Sequence, residues 1–226
     1  MTARKPQSNS KKHASQKGEL PKVQEKWNAT DEAEHYAGSR FSSRRAHQRD
    51  PDLIGKLLLK HGGAGKRKRV LDLPCGTGRL YPSLNDLGKH YVGADVSIPM
   101  LTHSEVPSVA GDAFRMPFMT SAFDTVVCCR LLHHLEEREE LPRVIDELMR
   151  VSSDLILASF WDADSLPAWR RRVGLRKDTT GRRPVSKRTL RTLFEDAGGE
   201  VLGFAHSFRF VSMQCFVAVR VNRSAR

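Results

Sequence analysis

A charged run, Lys66–Arg69, gives way to Val70-Leu71-Asp72-Leu73, which leads through Pro74-Cys75-Gly76-Thr77-Gly78 into a pattern with helical spacing. A buried strand that feeds a glycine turn and then a helix presents backbone N–H groups to a small polar ligand. Gly76 and Gly78 would let the backbone approach that ligand with no Cβ in the way. Such a turn constrains the rest of the chain to supply a parallel sheet that holds it.

The downstream pattern meets that constraint. Arg69–Leu73 reads as the first strand, followed by a helix over about 78–87. His90–Asp95 and Val106–Ala110 read as strands two and three, and the β-branched run Phe123–Cys129 as strand four. Leu141, Val144, Ile145, Leu148 and Met149 fall on one face of a helix over about 137–151, with Pro142 in its first turn. Strand five is Asp154–Phe160. Ser186 then caps a helix carrying Leu190, Leu193, Phe194 and Ala197, and it ends at Gly198-Gly199. Val201–Ser207 and Gln214–Val221 are joined by a short loop and should pair antiparallel at a sheet edge. Alternation of this kind predicts an α/β fold: a Rossmann-like, doubly wound, mostly parallel seven-stranded sheet with an antiparallel C-terminal hairpin. Ahead of the sheet, Asp50-Pro51 reads as a helix start, with Asp50 as N-cap and Leu53, Ile54, Leu57 and Leu58 facing the core.

The 226 residues fit one domain with extensions. Residues 1–20 are polar, basic and aperiodic, predicting a disordered tail, and 21–226 read as a single domain with an N-terminal segment over 21–49. The net charge of +12 is uneven: +5 over residues 1–50, −1 over 51–160, +7 over 161–191 and +1 over 192–226. A neutral core with basic extensions points to an anionic partner. No apolar run reaches the roughly 18–20 residues of a membrane span, and no apolar segment follows the basic start as a secretory signal requires. The four cysteines, Cys75, Cys128, Cys129 and Cys215, form no C-x-x-C pair, which predicts buried free thiols and a cytoplasmic protein.

Asp72-x-x-x-Gly76-x-Gly78, then Asp95, then Gly111-Asp112-Ala113 fall at the ends of strands one, two and three, where an open α/β sheet binds ligands. This ordered set resembles the Rossmann-like (class I) S-adenosylmethionine-dependent methyltransferases of the small-molecule type, over roughly residues 50–160. The resemblance implies S-adenosyl-L-methionine as cofactor, with Asp72 near its amino group and Pro74, Cys75, Gly76 and Gly78 forming the turn beneath methionine and ribose. It implies Asp95 and Val96 at the ribose, Asp112 and Ala113 at the adenine, and Phe114 or Met116 packed on the base. Arg130 would pass the methionine end, and Tyr36 and Arg40 would fold over the cofactor. Many relatives have glycine where this chain has Pro74, so the turn survives only where a fixed φ is tolerated. A nicotinamide dinucleotide would also suit Asp95, but its turn needs a third small residue where this chain has Tyr81.

The resemblance implies an in-line methyl transfer without a metal. His133 and His134, after strand four, are the candidate bases should the acceptor need to lose a proton. Residues 161–184, rich in arginine, lie where an acceptor pocket would be built, with Phe160, Trp161 and Trp169 as candidate apolar walls. The expected acceptor is an anionic small molecule or lipid-like headgroup. Two alternatives stand beside it: an RNA or ribosomal substrate gripped by the tail and residues 161–191, and a cofactor-binding adaptor without catalysis.

Overall fold

A computed structural model of the chain describes residues 44–62, 69–85, 90–175, 181–206 and 212–222. Seven strands form one sheet: β1 (Arg69–Asp72), β2 (His90–Asp95), β3 (Ser108–Ala110), β4 (Phe123–Cys128), β5 (Ser152–Trp161), β6 (Gly199–His206) and β7 (Gln214–Val221). Their order is β3-β2-β1-β4-β5-β7-β6. The first five run parallel, and β7 inserts antiparallel between β5 and β6. The expected hairpin is therefore present, with β6 outermost.

Alternate residues of the central strands feed two cores. Val126 and Cys128, Ile156 and Ala158, and Cys215, Val217 and Val219 point to one face. There they meet α4 (Glu140–Val151) and α6 (Lys187–Asp196) through Leu141, Val144, Ile145, Leu148, Leu190 and Phe194. Val127, Leu155, Leu157, Phe216 and Ala218 point to the other face, against α1 (Arg44–His61) and α2 (Tyr81–Asn85) through Ile54, Leu57, Leu58 and Leu84. Each such aliphatic side chain, fully buried, contributes about 1.5–3 kcal/mol. Strands apolar on both faces are what a covered parallel sheet requires. Two further helices are short: α3 (Ile98–Thr102), capped by the Ser97 hydroxyl, and α5 (Leu166–Arg172), capped by Ser165. All four cysteines are free and buried.

Several expectations are corrected. Asp50 is not an N-cap: α1 is already helical from Arg44, and Pro51 lies inside it. The Asp50 carboxylate instead turns inward to two guanidiniums. The helix after the glycine turn starts at Tyr81 rather than Gly78, because Gly76 and Gly78 both adopt left-handed φ, of 55° and 80°. The helix expected from 137 begins at Glu140, and two helices go unread in the sequence: α3, only five residues long, and α5, whose apolar residues face solvent. The tail over 1–20 and the segment with Tyr36 and Arg40 lie outside the described residues.

Candidate functional site

The tips of β1, β2 and β3 and the segments after them open onto a cleft. Its floor is the turn after β1. The Leu73–Pro74 peptide is cis, Cys75 N–H donates to Ala94 O at 2.9 Å, and Gly76 N–H donates to Asp95 Oδ2 at 2.8 Å. The second oxygen of Asp95 accepts from Ser97 N–H at 2.9 Å. Two backbone donors thus fix the orientation of the Asp95 carboxylate at the cleft, while each oxygen keeps a second lone pair for a ligand hydroxyl. Burial raises the Asp95 pKa and the backbone N–H groups of Ser97 and Gly76 oppose that rise.

The loop after β3 supplies the facing wall. Asp112 Oδ1 accepts from Phe114 N–H at 2.9 Å, which sets a tight turn and brings Gly111, Asp112, Ala113 and Phe114 to the cleft. The loop is tied to α4: Met116 N–H donates to Glu147 at 2.5 Å, and Arg150 donates to the carbonyls of Phe118 and Met116. Met116 itself is buried away from the cleft, so of the two side chains expected at the base only Phe114 faces it.

Pro74, Cys75, Gly76, Asp95, Val96, Asp112, Ala113, Arg130, His133 and His134 all line this one cleft. Two others do not. Asp72 is wholly buried beneath the turn, where Tyr91 Oη donates to its Oδ2 at 2.9 Å and its Oδ1 has no hydrogen-bond partner. Burial pushes its carboxyl up to about 7, against the opposing Tyr91 hydrogen bond. Gly78 is needed for packing: with φ of 80°, a Cβ there would meet Val106 Cγ2 at 2.9 Å. Neither is part of the cleft wall.

The far wall holds the residues that sequence reasoning missed. Asp50 on α1, 1% exposed, accepts from Arg79 Nη2 at 3.0 Å and from Arg130 Nε at 2.8 Å. Both arginines line the cleft. Arg130 has φ of 68°, unusual for a residue with a side chain, and Ser159 Oγ accepts its N–H at 2.7 Å. Arg130 is therefore held by β5 through its backbone and by α1 through its guanidinium. Cys129 sits against the same group, and its thiol is pushed up to about 12 by burial and then by the Asp50 charge. The Asp50-Pro51 pair, with the chemistry of a helix start, is the one sequence signal that marks this position.

After β4, His133 is buried and forms part of a 3-10 turn, Leu132–His134. Its ring lies 4.4 Å from that of His134 and stacks on Trp161 at 5.0 Å with an 11° interplanar angle. Arg171 and Arg182 each lie over the Trp161 ring, at 5.0 and 4.9 Å. Arg183 N–H donates to His133 O at 2.8 Å. Residues after β5 thus buttress His133 from behind. The expected apolar walls are corrected: Phe160 is wholly buried in the core, Trp161 backs His133, and Trp169 is 45% exposed. None of the three is part of the cleft wall.

From Leu71 to Asp154 the sequence matches the family described as "methyltransferase domain". Residues 71–154 thus carry a methyltransferase-domain sequence, set on a Rossmann-like sheet. Over 101 residues it is 35% identical to a demethylmenaquinone methyltransferase of Mycolicibacterium paratuberculosis, a match covering 43% of this chain and 44% of that protein. The chain thus spans less than half the length of that relative. Its fold is similar to that of the magnesium protoporphyrin IX methyltransferase from Synechocystis PCC 6803, solved with bound SAH. The TM-score is 0.70 at 20% identity, over 88% of this chain and 98% of that one. A protein from Pyrococcus horikoshii OT3 follows at TM-score 0.64 and 22% identity, over 84% and 99%.

Proposed function

We propose that this protein transfers a methyl group from S-adenosylmethionine to a small, ring-bearing, lipid-like acceptor. The observation that carries the reading is the Asp95 carboxylate, 6% exposed at the cleft and oriented by the N–H groups of Gly76 and Ser97. A fixed carboxylate of this kind suits a vicinal diol, which donates two hydrogen bonds. The residues present fit the cofactor: Asp95 for the ribose, Asp112 and the Ala113 backbone for the adenine, Phe114 and Met100 for the faces of the base. Arg79 and Arg130 bring positive charge to the same cleft, suited to a carboxylate.

When bound, the cofactor supplies an activated methyl group. The chain's contribution is alignment and exclusion of water, and alignment alone is worth roughly 7–11 kcal/mol in favourable cases. His133 and His134 stand at the cleft after β4, where an imidazole can take the proton of an acceptor hydroxyl or activated carbon. Leu131 and Leu135 make that end apolar. An apolar acceptor agrees with the relative named for demethylmenaquinone. It is also favoured over an anionic one because Arg171 and Arg182 are stacked on Trp161 and Arg183 is paired with Glu136 at 2.5 Å.

The test incubates the full chain and methyl-labelled cofactor with a cell extract, then separates lipid, small-molecule, protein and nucleic-acid fractions. Label in the organic phase, sharply reduced by Asp95→Ala, is expected. Label confined to RNA would establish the nucleic-acid substrate instead, and no label despite cofactor binding would establish an adaptor.

A further inference from the structure

α5 wears its apolar residues on the outside. Leu166, Trp169 and Val173 recur at helical spacing and are 44%, 45% and 48% exposed, while only Ala168 is buried beneath them. Leu175 follows at 72% exposed, and its backbone N–H is pinned to Arg170 O at 2.9 Å, so it stays beside the helix. Four exposed apolar side chains within ten residues form a patch rather than the scattered single residues normal on a surface. Arg170 and Arg172 are exposed on the same helix, and residues 161–191 carry a net charge of +7. Of the two acids that precede the helix, Asp162 is buried and paired with Lys187 at 2.7 Å, and Asp164 alone is exposed, against the two exposed arginines.

We infer that α5 and Leu175 form a docking surface for an anionic lipid bilayer. A short amphipathic segment with aliphatic side chains, a tryptophan and flanking arginines is suited to lie in the headgroup boundary. There the apolar groups leave water and the guanidiniums meet phosphates. A nucleic acid would engage the arginines but would give Leu166, Val173 and Leu175 nothing to bury against. The position of the patch gives the docking a use. Arg171 on the same helix lies over Trp161, Trp161 stacks on His133, and His133 lines the cleft. Seating α5 on a bilayer would bring the acceptor end of the cleft to the lipid surface. Docking depends on the exposed surface alone, so vesicle binding and methyl transfer can fail separately.

The full chain is sedimented with phosphatidylcholine vesicles, with and without phosphatidylglycerol. Wild type should partition onto the anionic vesicles and far less onto the neutral ones. Leu175→Glu should weaken partitioning at least about tenfold, and Arg170→Gln with Arg172→Gln about fivefold per residue. Thermal melting of both variants should match wild type, since the substituted side chains face solvent. The inference is overturned if wild type stays in the supernatant or if both variants sediment as wild type does, which would assign binding to the basic N-terminal segment. It is equally overturned if single-stranded RNA binds more tightly than vesicles and Leu175→Glu leaves vesicle binding intact.

Discussion

The two ends of the cleft are built by different means. At the tips of β1, β2 and β3, each cleft-lining carboxylate is tied to backbone N–H groups: Asp95 to Gly76 and Ser97, Asp112 to Phe114. On the α1 side and beyond β4 the surface is set chiefly by side chains resting on side chains: Asp50 between Arg79 and Arg130, and His133 on Trp161 under two arginines. Backbone-held groups depend on the course of the chain and tolerate little change. Side-chain stacks can be rebuilt one residue at a time, which suits the end proposed to receive the acceptor.

The contrast can be broken most forcefully at Asp50. Asp50→Ala takes the carboxylate from beside a guanidinium that is 8% exposed, and disrupting such a buried pair costs about 3–5 kcal/mol. Urea unfolding should show a loss of that order; a loss below about 1 kcal/mol would mean that α1 does not depend on the clamp.

Asp72, buried beneath the glycine turn, gives the next effect. Its folded pKa, about 7, lies above the unfolded value near 3.8, so the folded state holds the proton more tightly. The protonated group's contribution is present in full below about pH 4 and is lost as pH rises through 7. Between pH 5 and 8, wild type should lose roughly 2–4 kcal/mol relative to Asp72→Asn. Parallel pH–stability curves for the two proteins would contradict the burial argument.

Asp95→Ala removes charge-assisted hydrogen bonds and should weaken S-adenosylmethionine binding by about 1.5–3 kcal/mol, read by calorimetry. Trp161→Leu, at the acceptor end, should cost about 1 kcal/mol of stability through lost stacking and leave cofactor affinity unchanged. It should lower turnover through a looser His133. A cofactor affinity that falls with Trp161→Leu would erase the distinction between the two ends.

The same contrast explains what the sequence reveals. Asp95, Asp112 and the glycine turn fall at fixed offsets from strand ends, so the apolar pattern of β1 to β3 is enough to locate them. Asp50 and Arg79 are distant in sequence and meet only because α1 packs across the turn. Asp50-Pro51 has the local chemistry of a helix start, and tertiary ion pairing overrides it. Asp72 carries the motif that implies ligand contact, yet its strand position points it into the sheet beneath the turn. α5 hides its pattern because its apolar face is turned to solvent, opposite to the usual amphipathic rule.

Crystallising the full chain with S-adenosylhomocysteine tests the central assignment most directly. The nucleoside should lie with its ribose hydroxyls on Asp95 and its adenine beside Asp112 and Phe114, its amino-acid end toward Arg79 and Arg130. A ligand bound elsewhere, or one whose ribose makes no contact with Asp95, would contradict it.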